Sequence, residues 1–353
     1  MNRFDRYIGS SVLWSFAAVI FVLLGLDFAL TFIDQVKKVS DSYTTTALLQ
    51  VLAYRAPTKF AEYIPVASLI GTLVGLGALA STSELTVIRA AGTPIWRIGF
   101  AACKPIFIVA ILGVFTSEYI SPYTTQQADL IERLRGQSAG KFALTGGVWI
   151  KSDGNFVYIN AADRDGVLYD IQIFTPKDHA LEKIQKAKFA KHQSGEQWTL
   201  EQVTETHFLG DNIETSYQKT ASWTTSLKPN HLFLASQEPE ALSLTELHNY
   251  QDYLVHQELN AGLYQLEFWT KALMPFACFA LVIVALSSVF GPLRSSTMGG
   301  RIFSGVLIGI IFQNGLSLFG KMSLALHFSP FIGVSIPITI CFAIGIFLMR
   351  RRG

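Results

Sequence analysis

Charged side chains are scarce in this chain of 353 residues. Only 15% of the residues are charged and 50% are hydrophobic, whereas about a quarter of the residues of a soluble domain are charged. The net charge of +2 is too small to indicate a nucleic-acid-binding protein. The three cysteines have no spacing typical of zinc, iron–sulfur or disulfide sites. This composition favours a chain that lies partly in a membrane.

Signatures of catalysis and of nucleotide binding are missing as well. Residues 136–142 (GQSAGKF) are one residue too short for a phosphate-binding loop, and Phe142 stands where a serine or threonine must bind Mg²⁺. No HExxH motif occurs, and the seven histidines are scattered without metal-ligand spacing. The sequence therefore predicts a non-catalytic chain with no metal and no other cofactor.

Long apolar stretches are what the chain has instead. Each of six stretches is close to the ~20 residues that an α-helix needs to cross the hydrocarbon core. They cover residues 9–33, 58–82, 95–119, 270–290, 301–320 and 330–349. We predict an α-helical membrane protein with six transmembrane helices, in which residues 1–119 form helices 1–3 and residues 270–353 form helices 4–6.

The intervening polar block, residues 120–269, has the pattern of an all-β domain. FVYIN at 156–160 and IQIF at 171–174 alternate as half-buried strands do. Strands are predicted at 147–151, 155–160, 167–174, 180–191, 197–208 and 213–224. Strands at such spacing suggest a sandwich or a jelly-roll-like domain, inserted between helices 3 and 4. A helical pattern at 243–257 follows, with Ser243 or Thr245 as its cap.

Lysines and arginines in the short loops predict the orientation, because cytoplasmic loops carry an excess of them. With the amino terminus inside, nine basic residues lie on the cytoplasmic side: Arg3, Arg6, Arg89, Arg97, Arg294, Arg301, Arg350, Arg351 and Arg352. Five lie in the outside short loops: Lys37, Lys38, Arg55, Lys59 and Lys321. We expect both termini in the cytoplasm and the β domain outside it.

A short segment between helices 2 and 3 is amphipathic. Leu85, Ile88 and Ala91 recur at helical spacing, and Gly92 followed by Pro94 ends the pattern. Such a helix either lies on the membrane surface or docks into a cytosolic partner as a coupling helix. Both arrangements need one apolar face, so the spacing leaves both open.

Three further features of the sequence predict local contacts: a helix cap, a glycine pair and a carboxylate within an apolar helix. Ser81 and Glu84 have capping-box spacing, with Ser83 as the alternative cap. Gly71 and Gly75 form a Gly-x-x-x-Gly pair, which favours packing within the chain over a contact between two copies. Asp27 lies inside helix 1, where a carboxylate is expensive in lipid, so we expect it to face protein or a cavity.

Several segments together resemble a known family. They are DRYI at 5–8, FIDQVKK at 32–38, GLGALASTSELTVIRAAG at 75–92, FVYI at 156–159, LSLTELHNY at 242–250 and FGPLR at 290–294. In this order and spacing they resemble the LptF/LptG permease family of the lipopolysaccharide export system over essentially the whole chain.

The resemblance implies an inner-membrane protein of a Gram-negative bacterium with a periplasmic β-jelly-roll domain. Two sister permeases would bind an LptB-like ATPase dimer, which hydrolyses the ATP, and an LptC-like membrane-anchored protein. Lipopolysaccharide would enter sideways from the outer leaflet, and ATP-driven closure would pass it to a periplasmic bridge toward the outer membrane.

The resemblance also implies residue roles. The segment 84–92 would be the coupling helix, with Glu84 and Arg89 as its polar contacts to the ATPase. Its predicted contact residues are Glu84, Leu85, Ile88, Arg89 and Gly92. The lipid phosphates would meet Lys37, Lys38, Arg133 and Arg135. Helices 1 and 5 would form the lateral gate, with Phe28, Phe32, Phe303, Leu307 and Ile311 near the acyl chains.

Two other classes of protein compete with a transporter subunit. A membrane-anchored scaffold whose β domain binds periplasmic partners would explain the helices and the strands. It explains the basic outer loops and the amphipathic segment less well. An intramembrane enzyme would need a catalytic constellation, and the sequence has none.

Overall fold

The protein, described by a computed structural model, folds into two compact units. The structure describes residues 3–39, 43–136, 148–152, 154–162, 166–177, 180–209, 212–225, 234, 238–256, 259–290 and 297–351. The first unit comprises Met1–Asp129 and Ser243–Gly353, and the second comprises Leu130–Leu242. Residues 137–142 of the phosphate-loop-like segment and residues 291–294 of the FGPLR motif lie outside the described residues.

Apolar helices dominate the first unit. The α-helices whose bounds the structure describes are α1 (Arg3–Gln35), α2 (Thr45–Ser81), α3 (Glu84–Ala90), α4 (Ile95–Phe115), α5 (Ser121–Gly136), α6 (Leu244–His256), α7 (Gly262–Ala272), α8 (Met274–Val289), α9 (Met298–Ala325) and α10 (Pro330–Arg350). Among the described residues, five helical spans are long and apolar enough to cross a membrane, and the bent pair α7–α8 adds a sixth. The prediction of six spans is confirmed, with the fourth one bent.

Two irregularities distinguish the spans from the predicted straight helices. α7 and α8 meet at a 51° bend around Leu273. Pro275, in the first turn of α8, has no amide hydrogen and therefore cannot continue the hydrogen-bond ladder of α7. The third span does not end at residue 119, because α4 passes through a π-helical turn, Thr116–Ile120, directly into α5.

Helix α2 forms the centre of the first unit. Four helices pack against it, namely α1, α4, α8 and α9. Of the residues in its most apolar 18-residue stretch, 72% are buried. A Cβ atom at Gly71 would lie 2.7 Å from the Cα atom of Phe16, so α1 approaches α2 too closely for any side chain there. Gly305 and Gly309 of α9 also face α2, where a Cβ atom would meet the side chains of Leu73 and Val66. The predicted packing of Gly71 and Gly75 within the chain is confirmed.

A sharp break separates α2 from α3. Ser83 adopts a left-handed backbone conformation with φ of 63° and makes no side-chain cap. The hydroxyl of Ser81 donates a 2.7 Å hydrogen bond to the carbonyl of Ala78. The capping-box prediction is therefore wrong, because Ser81 still belongs to α2 and closes its last turn. The cap of α6 is confirmed: Ser243 accepts from the amide of Glu246, whose carboxylate accepts from the amide of Ser243.

The second unit contains an antiparallel sheet of six strands. They are β1 (Val148–Ser152), β2 (Asn155–Ala162), β3 (Val167–Lys177), β4 (Ala180–Ser194), β5 (Gln197–Leu209) and β6 (Asn212–Thr224). Val157 pairs with Ile173 and Ile159 pairs with Ile171, and all four side chains are buried. The alternation in the sequence thus predicts the buried face of the sheet correctly.

The order of the strands is that of a meander. Each described strand pairs with its neighbours in sequence, from β1 through β6. A jelly roll needs long crossover connections, whereas only Gly195 and Glu196 lie between β4 and β5. The inserted all-β domain is confirmed. Its described strands form one antiparallel meander and do not follow the predicted jelly-roll order.

Candidate functional site

Helix α3 uses its apolar face to pack on its own chain. Leu85 is only 3% exposed and belongs to the hydrophobic core of the membrane unit, against which the half-buried Ile88 also packs. The side chain of Val87 is 68% exposed, and Thr86 and Ala90 beside it are exposed as well. The surface that α3 offers to a partner is therefore the face around Val87.

The charged residues of α3 have contacts inside the chain. Tyr7 donates a 2.5 Å hydrogen bond to Oε2 of Glu84, and Thr82 donates a 2.9 Å bond to Oε1. These two bonds hold the pKa of the Glu84 carboxyl below its usual value. The guanidinium of Arg89 lies 5.7 Å from the ring centre of Phe290, a cation–π contact.

Gly92 ends the α3 segment, as the sequence predicts. Its φ of 84° lies in the left-handed region, and a Cβ atom there would meet nothing within 4 Å. The backbone conformation, and not crowding, therefore requires glycine at this position. Gly92 directs the chain from α3 toward α4.

The predicted headgroup cations lie in two places. Lys37 is exposed in a 3₁₀ turn, Val36–Lys38, that continues α1. Lys38 belongs to the same turn, but its side chain lies outside the described residues. Arg133 and Arg135 lie on the last turns of α5, and their side chains are also outside the described residues. The lysine pair belongs to the membrane unit and the arginine pair to the unit of the sheet.

The predicted gate residues lie on α1 and α9, which are less buried than the spans formed by α2, α4–α5 and α10. In α1, only 11% of the residues in the most apolar 18-residue stretch are buried. In α9, 17% of the residues in the corresponding stretch are buried. Phe303, Leu307 and Ile311 form an exposed row on α9, while α1 contributes the exposed Phe28 and the half-buried Phe32. Both helices pack on α2, and their exposed apolar side chains point away from the core.

The sequence does not predict the contacts that three polar residues of these spans make. Arg301, which sequence analysis assigns to the cytoplasmic loops, is only 3% exposed and donates to the carbonyl of Gly77 on α2. Tyr63 donates to Asp27 across the α1–α2 contact, and Tyr7 reaches Glu84. Asp27 gives a signal in the sequence because a carboxylate in an apolar helix needs a partner. Tyr7 and Tyr63 give none, since tyrosine is common near membrane interfaces.

These features define a polytopic membrane protein with an inserted antiparallel sheet. Its described spans expose apolar side chains, and a short helix lies at the turn between its second and third spans. The architecture is that of a membrane permease carrying an extramembranous β domain.

Comparison with known proteins gives the family. A sequence model of the lipopolysaccharide export system permease LptF/LptG matches residues 6–351. The lipopolysaccharide export system permease protein LptG of Escherichia coli (strain K12) is 31% identical over 352 residues, which cover 99% of this chain and 98% of that protein. LptG of Haemophilus influenzae (strain Rd) is 31% identical over 356 residues, covering 100% and 99%. The chain belongs to the LptF/LptG family of lipopolysaccharide export permeases.

The family match confirms the resemblance carried by the sequence motifs. Both relatives are LptG, and the motifs of this chain likewise resemble LptG more than its sister LptF. Together with the apolar helices, the match indicates an inner-membrane protein.

Proposed function

We propose that the chain is the permease subunit of an ABC transporter that extracts lipopolysaccharide from the inner membrane and passes it to a periplasmic bridge toward the outer membrane. The observation that carries this proposal is the family match over residues 6–351. The exposed apolar faces of α1 and α9 support it, because a lipid that enters sideways needs apolar protein surface at the entrance.

The proposed partners follow from the family. The chain pairs with an LptF-like sister permease, binds an LptB-like ATPase dimer that hydrolyses the ATP, and contacts an LptC-like bridge protein. Both termini lie in the cytoplasm, and the sheet lies in the periplasm. The segment 84–92 then faces the ATPase as the coupling helix, with Glu84 and Arg89 as its polar contacts, and the exposed Val87 adds an apolar contact. Leu85 and Ile88 hold the helix against its own chain.

The lipid is proposed to meet two groups of residues. Lys37, Lys38, Arg133 and Arg135 bind its phosphates, because cations pair well with phosphate oxygens at a membrane interface. Acyl chains contact the exposed gate residues, which are Phe28, Phe32, Phe303, Leu307 and Ile311. Replacement of Lys37 and Lys38 by glutamate is expected to weaken retention of the lipid through like charge.

The test is purification of the tagged chain from its native membrane, followed by identification of bound proteins and lipids by mass spectrometry. Recovery of an ATPase, a sister permease and lipopolysaccharide together is the expected result. Recovery of periplasmic proteins without an ATPase or lipid, under conditions that preserve an established ABC transporter, would overturn the proposal in favour of a membrane-anchored scaffold.

A further inference from the structure

Two connections join the unit of the sheet to the membrane unit. The chain leaves the membrane unit within α5, after Asp129, and returns to it at Ser243, directly before α6. Both connections begin from helices of the membrane unit, the outgoing one from the end of α4 and the returning one from α6. A bond between these two starting points makes the connections move together, whereas without it each would move separately.

The outgoing connection starts with the π-helical turn Thr116–Ile120. The amide of Ser121 donates to the carbonyl of Thr116, five residues back, and Pro122 has no amide hydrogen for the carbonyl of Glu118. A π-helical turn holds more residues than an α-helical one, so it changes the direction in which its side chains leave the helix. Glu118 lies in the middle of this turn, half-buried, and the turn contacts α6.

Glu118 caps α6 from a distant part of the chain. One carboxylate oxygen accepts a 2.8 Å hydrogen bond from the amide of Leu244, and the other accepts a 2.5 Å bond from the hydroxyl of Thr245. The first amides of an α-helix have no partner within the helix, and the local cap of α6 bonds the amides of Ser243 and Glu246. Glu118 thus supplies an acceptor for an amide that the local cap does not bond, and its charge suits the positive end of the helix dipole.

Helix α6 is held on another side by α7. Leu247, Tyr250 and Leu254 are buried, and the ring of Tyr250 meets that of Tyr264 on α7 edge to face, with 4.7 Å between their centres. α7 continues through the bend into α8, the fourth span. α6 therefore links the end of the third span to the start of the fourth, and Glu118 makes the contact with the third.

We propose that Glu118 is a positioning residue that ties the two connections of the sheet unit together, so that they move as one while lipid is delivered. Hydrogen bonds to a carboxylate are stronger than those between neutral groups, which suits a tie of only two bonds. The role in lipid delivery rests on the proposed function, whereas the tie itself does not. The alternative, in which Glu118 is only a cap, predicts effects in α6 alone.

The first experiment measures hydrogen exchange in the purified full chain without any partner. Glu118→Gln removes the charge and one acceptor oxygen, so the amides in the first turns of α6 should exchange several-fold faster than in the wild type. Thr245→Val removes the donor on the other side, so the amides of the π-helical turn and of the start of α5 should exchange faster as well. Thr245→Ser keeps the hydroxyl group and should restore the wild-type rates.

Glu62→Gln is the matched control for removal of charge. It breaks an exposed ion pair with Lys59 within α2 and should leave exchange in both segments unchanged. Exchange of the π-helical turn that is unaffected by Thr245→Val would overturn the tie, whatever the function of the chain. Exchange of α6 that is unaffected by Glu118→Gln would do so too.

The second experiment uses the complete transporter in proteoliposomes and measures both ATP hydrolysis and delivered lipopolysaccharide. Glu118→Gln and Thr245→Val should each leave co-purification of the ATPase unchanged and lower the lipid delivered per ATP several-fold. The double variant should be no worse than the poorer single variant, because both substitutions break the same tie, and Thr245→Ser should deliver lipid as the wild type does. Undiminished delivery by Glu118→Gln, or effects of the two substitutions that multiply, would overturn the role in delivery. A wild-type complex that delivers no lipid would instead overturn the proposed function.

Discussion

The phenol of Tyr63 on α2 donates a 2.6 Å hydrogen bond to a carboxylate oxygen of Asp27 on α1. Both side chains are half-buried between the two helices. A carboxylate within an apolar helix is expensive in lipid, and a short bond to a phenol offsets part of that cost. The sequence-based expectation that Asp27 faces protein is confirmed. The bond lies beyond Ile20, in the half of α1 that has no buried residue.

Removing the phenol should loosen α1. Tyr63→Phe leaves the carboxylate of Asp27 without its partner, and we expect a loss of about 1–3 kcal/mol in the free energy of unfolding. Unfolding of the purified chain in mixed micelles measures this loss. The double variant Asp27→Leu, Tyr63→Phe should be more stable than Tyr63→Phe alone, because no unpaired polar group remains. A double variant that loses the sum of both single effects would contradict the pairing.

The contact at Gly71 should tolerate no side chain. In Gly71→Ala the added Cβ atom would lie 2.7 Å from the backbone of Phe16, so α1 must shift, at a cost of about 1–3 kcal/mol. Thermal unfolding in detergent should show a lower midpoint than in the wild type. Gly315→Ala on α9 is the control, since a Cβ atom there meets nothing within 4 Å. Equal midpoints for the two variants would show that the helices are less closely packed than described.

Sequence patterns predict much of this fold because the strongest signals are local. Apolar length defines the spans, and two-residue alternation defines the buried face of the sheet around Val157 and Ile171. Apolar length alone misses the bend at Leu273, which Pro275 causes locally, and the continuation of α4 into α5 through a π-helical turn. Strand order depends on turn connections, which the alternation of single strands does not report.

In the candidate site, too, the sequence predicts the local features and misses the contacts between distant residues. Spacing identifies α3 as amphipathic, but an apolar face is equally suited to a partner and to the core of the same chain. In the structure Leu85 and Ile88 pack on the core, and Val87 is the exposed apolar residue. The pairing of Tyr7 with Glu84 joins residues that are 77 positions apart, and the pattern of a single sequence gives no signal for such a contact.

The buried guanidinium of Arg301 should hold the start of α9 against the end of α2. Arg301→Met keeps an unbranched apolar stem but removes every donor to the carbonyl of Gly77, so we expect a loss of about 1.5–3 kcal/mol. Unfolding in mixed micelles measures the loss, and Arg301→Lys should recover part of it. Lys321→Met, an exposed position on the same helix, is the control for removal of charge. Equal stability of the two methionine variants would contradict a structural role for Arg301.

The contact between α1 and α3 should weaken in acid. Hydrogen bonds from Tyr7 and then Thr82 lower the pKa of Glu84 in the folded state below its ordinary value of 4.5. A lowered pKa means that the carboxylate contributes its full stabilisation above pH 4.5 and loses it as the pH falls through the folded-state pKa. Hydrogen exchange of the α3 amides, compared at each pH with Glu84→Gln, measures the contribution because the amide of glutamine does not titrate. Protection of the α3 amides from exchange in the wild type, divided by their protection in Glu84→Gln, should fall toward one in acid. A ratio that stays constant across this range would show that the carboxylate charge of Glu84 does not hold α3 in place.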